Sequence, residues 1–185
     1  MDAAFYLDTR EPFMAADLAA VTLATTLKAL YSPSAFPVLG GQYFARPGKK
    51  VLVRAKAKIT TGLTPGNLVL SLLYGTGADA NGVVLASSAA IALVASQTNI
   101  TLSVEFVCRC ITTGNVGTLE VLGQAAANPA VIASTAQPIM IPAAAAAPSA
   151  ACDLTAALIL SIQASRSGST AETMTIQDLE VIAMN

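Results

Sequence analysis

Between residues 99 and 124, apolar side chains take every second position. Ile100, Leu102, Val104, Phe106, Cys108 and Cys110 alternate with Thr101, Ser103, Glu105 and Arg109, and Val107 is the apolar exception on the polar parity. A strand sends successive side chains to opposite faces, so this run predicts a long strand with one buried face. Thr112-Thr113-Gly114-Asn115-Val116-Gly117 follows, and its glycines and Asn suit the positive-φ positions of a hairpin loop. Residues 118–124 return with Leu119 and Val121 inward. The pattern predicts a central antiparallel hairpin with other strands packed around it.

Residues 50–61 predict a second clear strand. Val51, Val53, Ala55, Ala57 and Ile59 form its inner face, and Leu52, Arg54, Lys56, Lys58 and Thr60 its outer face. Over 67–74, Leu68, Leu70, Leu72 and Tyr74 oppose Val69, Ser71 and Leu73, so both faces are apolar and cover is expected on both sides. Shorter strands are expected at 21–23, 42–46 and within 131–141, 83–87 and 90–95 read as two strands or one bent strand, and residues 26–31 read as strand or helical turn. A strand is also expected over 153–165, through Leu154, Ala156, Leu158, Leu160 and Ile162 with a phase shift midway. Over 173–184, Met174 and Ile176 share one parity while Leu179, Val181 and Ala183 share the other, the mark of a β-bulge near Gln177 or Asp178. Prolines and glycines place loops at 32–37, 46–49, 62–66, 75–82, 125–129 and 166–170. The Ala- and Pro-rich stretch 142–151 is expected as an exposed connection or interface segment. Residues 1–20, interrupted by Pro12, read as an extended N-terminal arm, and 21–185 as a single domain. Eight or more strands of this kind predict an all-β, antiparallel β-sandwich of jelly-roll type.

Composition adds a question about surfaces. Hydrophobic residues make up 54% and charged residues 11%, with mean hydropathy +0.63. The longest apolar runs, 89–95 and 143–147, fall far short of the roughly 18 residues a membrane-spanning helix needs. The apolar excess, much of it Ala, instead points to burial against other chains in an oligomer or larger assembly. The N-terminus, with Asp2, Asp8, Arg10 and Glu11, lacks the basic-then-apolar order of a secretory leader. Cys108 and Cys110 share one strand face, too far apart for an unstrained disulfide. With Cys152 they are expected to pack as small hydrophobes in a reducing compartment. A net charge of −1 implies no bulk attraction to nucleic acid or membrane.

Candidate chemistry is sparse. The absence of histidine removes Ser-His-Asp and Cys-His catalysis and every imidazole metal site. No phosphate-cradling glycine motif follows a strand, and neither an enzyme nor a cofactor is expected. Glu105 and Glu120, outward on adjacent hairpin strands, resemble the two carboxylates of a glycosidase, and solvated surface acids or partners of the Lys-rich strand are the plainer reading. Asp79 and Asn81 offer oxygen ligands for calcium without a bidentate Glu at suitable spacing. The charge asymmetry is basic: Arg46, Lys49, Lys50, Arg54, Lys56 and Lys58 are six of the ten Lys and Arg residues. They suit an acidic protein partner better than nucleic acid, since no aromatics interleave for stacking. A solvent face or a protected sheet edge is the plainer explanation of them. Phe5, Tyr6 and Phe13 are the candidate contacts of the arm.

Several phrases resemble a group of tailed-phage virion proteins. They are Ala24-Thr25-Thr26-Leu27-Lys28-Ala29-Leu30-Tyr31, Gln42-Tyr43-Phe44 leading into Pro47-Gly48-Lys49-Lys50-Val51, and Thr64-Pro65-Gly66-Asn67-Leu68. Gly75-Thr76-Gly77, Leu85-Ala86-Ser87-Ser88-Ala89, Gln97-Thr98-Asn99 and Gly114-Asn115-Val116-Gly117-Thr118 follow. Arg166-Ser167-Gly168-Ser169-Thr170-Ala171-Glu172-Thr173-Met174-Thr175 completes them. Each is a turn-plus-strand phrase and none is a catalytic signature. Where that pattern carries an aromatic in the long central strand, this chain has Leu102, with Cys108 and Cys110 nearby. The resemblance implies a jelly-roll capsid decoration (cement) protein, a homotrimer on the capsid surface of the virion that bridges major capsid protein subunits. Such a protein is made in the host cytoplasm, with no nucleic acid or membrane partner. The rival readings are a tail or baseplate component and a glycan-binding attachment module. Sugar sites favour exposed aromatics, and this chain has no Trp and only 5% aromatics.

Overall fold

The computed structural model describes residues 19–184 apart from 36, 134–136 and 169. Among them lie eleven strands: β1 (Val21–Thr22), β2 (Lys28–Ala29), β3 (Lys50–Thr60), β4 (Asn67–Gly75), β5 (Val83–Ser87), β6 (Ile91–Ala92), β7 (Ile100–Thr112), β8 (Thr118–Ala127), β9 (Ile139–Ile141), β10 (Ile159–Arg166) and β11 (Thr173–Met184). Two antiparallel sheets result. The larger has the order β1-β11-β3-β7-β8-β9; the smaller has β2-β10-β4-β5, with β6 also beside β4. The described chain is an antiparallel β-sandwich. Its pairing is nested: β1 bonds to β11, β2 to β10, β3 to β7 and β4 to β5. The expected arm lies outside the described residues as far as position 18, and Phe5, Tyr6 and Phe13 with it.

Alternation decides which side chains fill the space between the sheets. The expected inner faces of β3 and β7 are buried, and Leu119 and Val121 of β8 join them. Opposite stand Leu68, Leu70, Leu72 and Tyr74 of β4 and Leu160, Ile162 and Ala164 of β10. Fully burying each Leu, Ile, Val or Phe contributes about 1.5–3 kcal/mol, so this one shared core dominates the stability. The bulge in β11 falls where parity predicts it. The register with β3 skips Gln177 between Ile176–Ala57 and Asp178–Lys56, which lets Met174, Ile176, Leu179 and Val181 all face inward.

The second face of β4 is covered by its own connection to β5. Leu73 is buried but lies outside the main core, beside buried Ser71, Ser161 and Gln163. The 75–82 loop folds over them. Gln163 Oε1 accepts from Ala80 N–H at 2.9 Å, and Gln163 Nε2 donates to Ala78 O at 2.9 Å. At the loop's tip Asp79 binds Lys28 Nζ (2.6 Å) and accepts from Ala29 N–H (2.9 Å), tying the loop to edge strand β2.

Three local expectations change. Residues 42–46 form turns instead of a strand, because Gly40 O accepts from Tyr43 N–H and Gln42 O from Ala45 N–H. That turn drives Phe44 into the core, edge-on to Tyr74 at 6.2 Å. The strand expected over 153–165 begins only at Ile159. Asp153 Oδ1 accepts from Thr155 N–H at 2.8 Å and closes a local turn that competes with the ladder. The loop expected at 125–129 starts late, since β8 runs on to Ala127. Ala125 fills an inward position there, and Gln137 Oε1 takes the Ala127 N–H.

Candidate partner-binding face

The outer face of the larger sheet gathers Lys50, Arg54, Lys56, Lys58, Glu105 and Glu120 of the residues singled out by sequence. The cross-strand register arranges them in rows. Met184, Lys50, Arg109 and Glu120 form one row across β11, β3, β7 and β8. Two residues further along each strand come Ile182, Leu52, Val107 and Leu122, an uninterrupted apolar row. The next row is Glu180, Arg54, Glu105 and Gln124, with Met140 of β9 at its end. Ile182, Leu52 and Val107 are half-buried, while Leu122 is 55% and Met140 61% exposed.

Most of the charges beside the apolar row neutralise one another. Arg54 meets Glu105 at 2.8 Å and Glu180 at 3.5 Å, Arg109 pairs with Glu120, and Lys56 lies 3.8 Å from Asp178. The Glu105 hydrogen bond is the largest influence holding the Arg54 guanidinium above its ordinary pKa. The expected basic strip is thus divided. Lys50, Arg54, Lys56 and Lys58 point outward from β3, whereas Arg46 and Lys49 sit in the turn before it, Lys49 Nζ lying 5.1 Å from the centre of the Tyr43 ring. β3 runs in the middle of its sheet, so guarding an edge is not its role; the solvent-face reading stands.

Glu105 and Glu120 do not form a catalytic pair. Glu105 lies opposite Gln124, four residues along β8 from Glu120. That spacing puts the carboxylates roughly 13 Å apart along the strand, beyond the roughly 5–9.5 Å of glycosidase pairs, and each is held by its own Arg. Asp79 is committed to Lys28 and Ala29. The Lys28 hydrogen bond is the leading cause holding its carboxyl below the usual range. Among the described residues no three Cys, Asp or Glu converge on a point where a metal ion would sit.

No family model, curated protein or solved structure matches this chain.

The three cysteines are free and buried, and burial is the main cause raising each thiol above its ordinary pKa. A thiol held protonated is a poor nucleophile, so they pack as small apolar groups. The strongest surface feature is therefore contact area, not chemistry. Its apolar row was partly visible beforehand, in Val107 as the exception of its run and Leu52 among lysines. Leu122 and Ile182 were not singled out. An apolar residue at the matching outward position of each of four neighbouring strands is the signal that links them.

Proposed function

We propose that this chain is a non-enzymatic structural protein of a tailed-phage virion, a decoration protein on the capsid surface. In this reading it assembles as a homotrimer, bridges neighbouring major capsid subunits and is made in the host cytoplasm. A fold alone does not assign a role. The observation that carries the reading is where the resembling phrases fall. At one end of the sandwich, phrases far apart in sequence interlock through their backbones. Arg166 N–H donates to Ala24 O and Ser167 N–H to Asn67 O, both at 2.8 Å. Thr170 Oγ1 donates to Thr64 O at 2.9 Å. Three of the phrases, 24–31, 64–68 and 166–175, thus meet at that end of the sandwich.

Further support comes from the winding and the surface. Nested pairing of first strand with last and of inner pairs in turn is how a jelly roll is wound, and we read the sandwich as one. Residues 143–148, Ala- and Pro-rich, are exposed, as an interface segment would be before assembly. Many modest contacts repeated by symmetry then add through avidity.

The test is the copy number in purified particles, counted against the major capsid protein by quantitative mass spectrometry. A ratio near one, or a simple fraction of it, is expected. A handful of copies would move the protein to the tail or baseplate, and absence would end the virion reading. Deleting residues 1–17 should abolish particle binding while leaving the sandwich folded; full decoration by the truncated protein would remove the arm from the mechanism.

A further inference from the structure

The outer face of the larger sheet carries its apolar row between two rows of paired charge. We propose that two copies pack through this face about a two-fold axis running along the strands between β3 and β7. The axis lays β3 of one copy over β7 of the other, and β11 over β8. Stacked sheets keep their strands within about 30° of each other and about 10 Å apart, so rows that match in register meet.

The register then supplies the complementarity. Leu52 falls on Val107 of the second copy, and Ile182 on its Leu122, so the apolar row is covered by itself. In the next row Arg54 falls on Glu105 of the second copy. Because the contact is isologous it occurs twice, and two internal ion pairs become a square of alternating charge. Lys50 over Arg109 is the like-charge meeting, and it lies in the outermost row with Glu120 against the guanidinium.

Charge and area both favour this occupant. Arg54, Lys56 and Arg109, three of the five cations on the face, are already paired within the copy, whereas a face built for nucleic acid keeps cations unpaired for phosphates. Four strands about 4.8 Å apart and about ten residues long present roughly 650 Å² of sheet, close to the roughly 800 Å² per partner of a standard interface. This pairing is separate from the threefold association proposed on the capsid, and it predicts species with even numbers of copies.

Native mass spectrometry of the isolated full chain tests it. Even-numbered species are expected at roughly micromolar protein. Leu122→Lys, at an exposed position that folding does not depend on, should weaken the association at least about tenfold. Arg54→Glu should weaken it too, and adding Glu105→Arg should restore it, with circular dichroism confirming that each variant is folded. Monomers or trimers alone, even at about ten times that concentration, would overturn the pairing and leave the face to capsid subunits or to residues 1–18. Even-numbered species indifferent to Leu122→Lys would overturn it as well. Copy number in particles is scored independently, so monomers that still decorate capsids would sink this inference while the virion role stands.

Discussion

Glu172 shows how much one side chain organises the end of the sandwich. Its side chain is 0% exposed, and Thr170 Oγ1 donates to its Oε1. Arg166 Nε lies 3.0 Å from Oε2, yet its hydrogen is directed to Leu23 O at 2.9 Å. Among the described residues Oε2 is therefore held by charge without a hydrogen bond of its own. Leu23 N–H returns to Glu172 O at 2.8 Å, so the ion pair and the backbone together fix the chain where it leaves β1. Removing one partner of a buried pair strands a charge in a medium that solvates it poorly, which costs about 3–5 kcal/mol. Arg166→Met should lower stability by about that much in urea unfolding, and adding Glu172→Leu should recover a large part, because two apolar groups leave no charge behind. A loss under about 1 kcal/mol for Arg166→Met would mean that the carboxylate finds other solvation, as an exposed pair would.

At the scale of elements, the 75–82 connection is a plug. Its glycines, Asp79 and Asn81 suggested a free loop and a conceivable calcium site. What fixes it instead is Gln163, a strand residue 81 positions on from Gly82, whose amide holds Ala78 and Ala80. Gln163→Leu keeps the burial but leaves those two backbone groups without their partner, at about 1–3 kcal/mol per orphaned group if they stay dry. Opening the loop to water is the cheaper outcome. The variant should fold, with the 75–82 loop becoming a site of limited proteolysis that the wild-type chain lacks; equal resistance would show that Asp79 and Lys28 suffice. The same contrast explains what was legible in sequence. Long strands with one buried face, β3 and β7, and the bulge at Gln177 were readable because period two is a local property. The turns at 42–46 and 153–158 were not, since a side-chain cap or a tertiary pocket for Phe44 overrode propensity. The partner-binding face was half legible: its basic residues stood out, but the carboxylates that meet Arg54 and Lys56 come from β7 and β11, and only the fold brings those strands alongside β3.

For the whole molecule, the nested pairing sets when the fold can close. β11 lies between β1 and β3, so the larger sheet has no continuous hydrogen-bonded path until the last described strand is in place. β1 and β11 are joined only after the whole intervening chain has been drawn together, and loop-closure entropy opposes that before contacts reward it. Such non-local topologies refold in roughly milliseconds to seconds, against microseconds for local ones. Stopped-flow refolding of the full chain should fall in the slow range. A chain ending at residue 172 should not fold, because it loses Met174, Ile176, Leu179 and Val181 from the core and bares the edge of β3. A cooperative thermal transition in that truncated chain would show that β3, β7 and β8 with the smaller sheet make a self-sufficient core. The closing strand would then be an addition, and the exit of the N-terminal segment, held by β1 on β11, would be free to move without unfolding the sandwich.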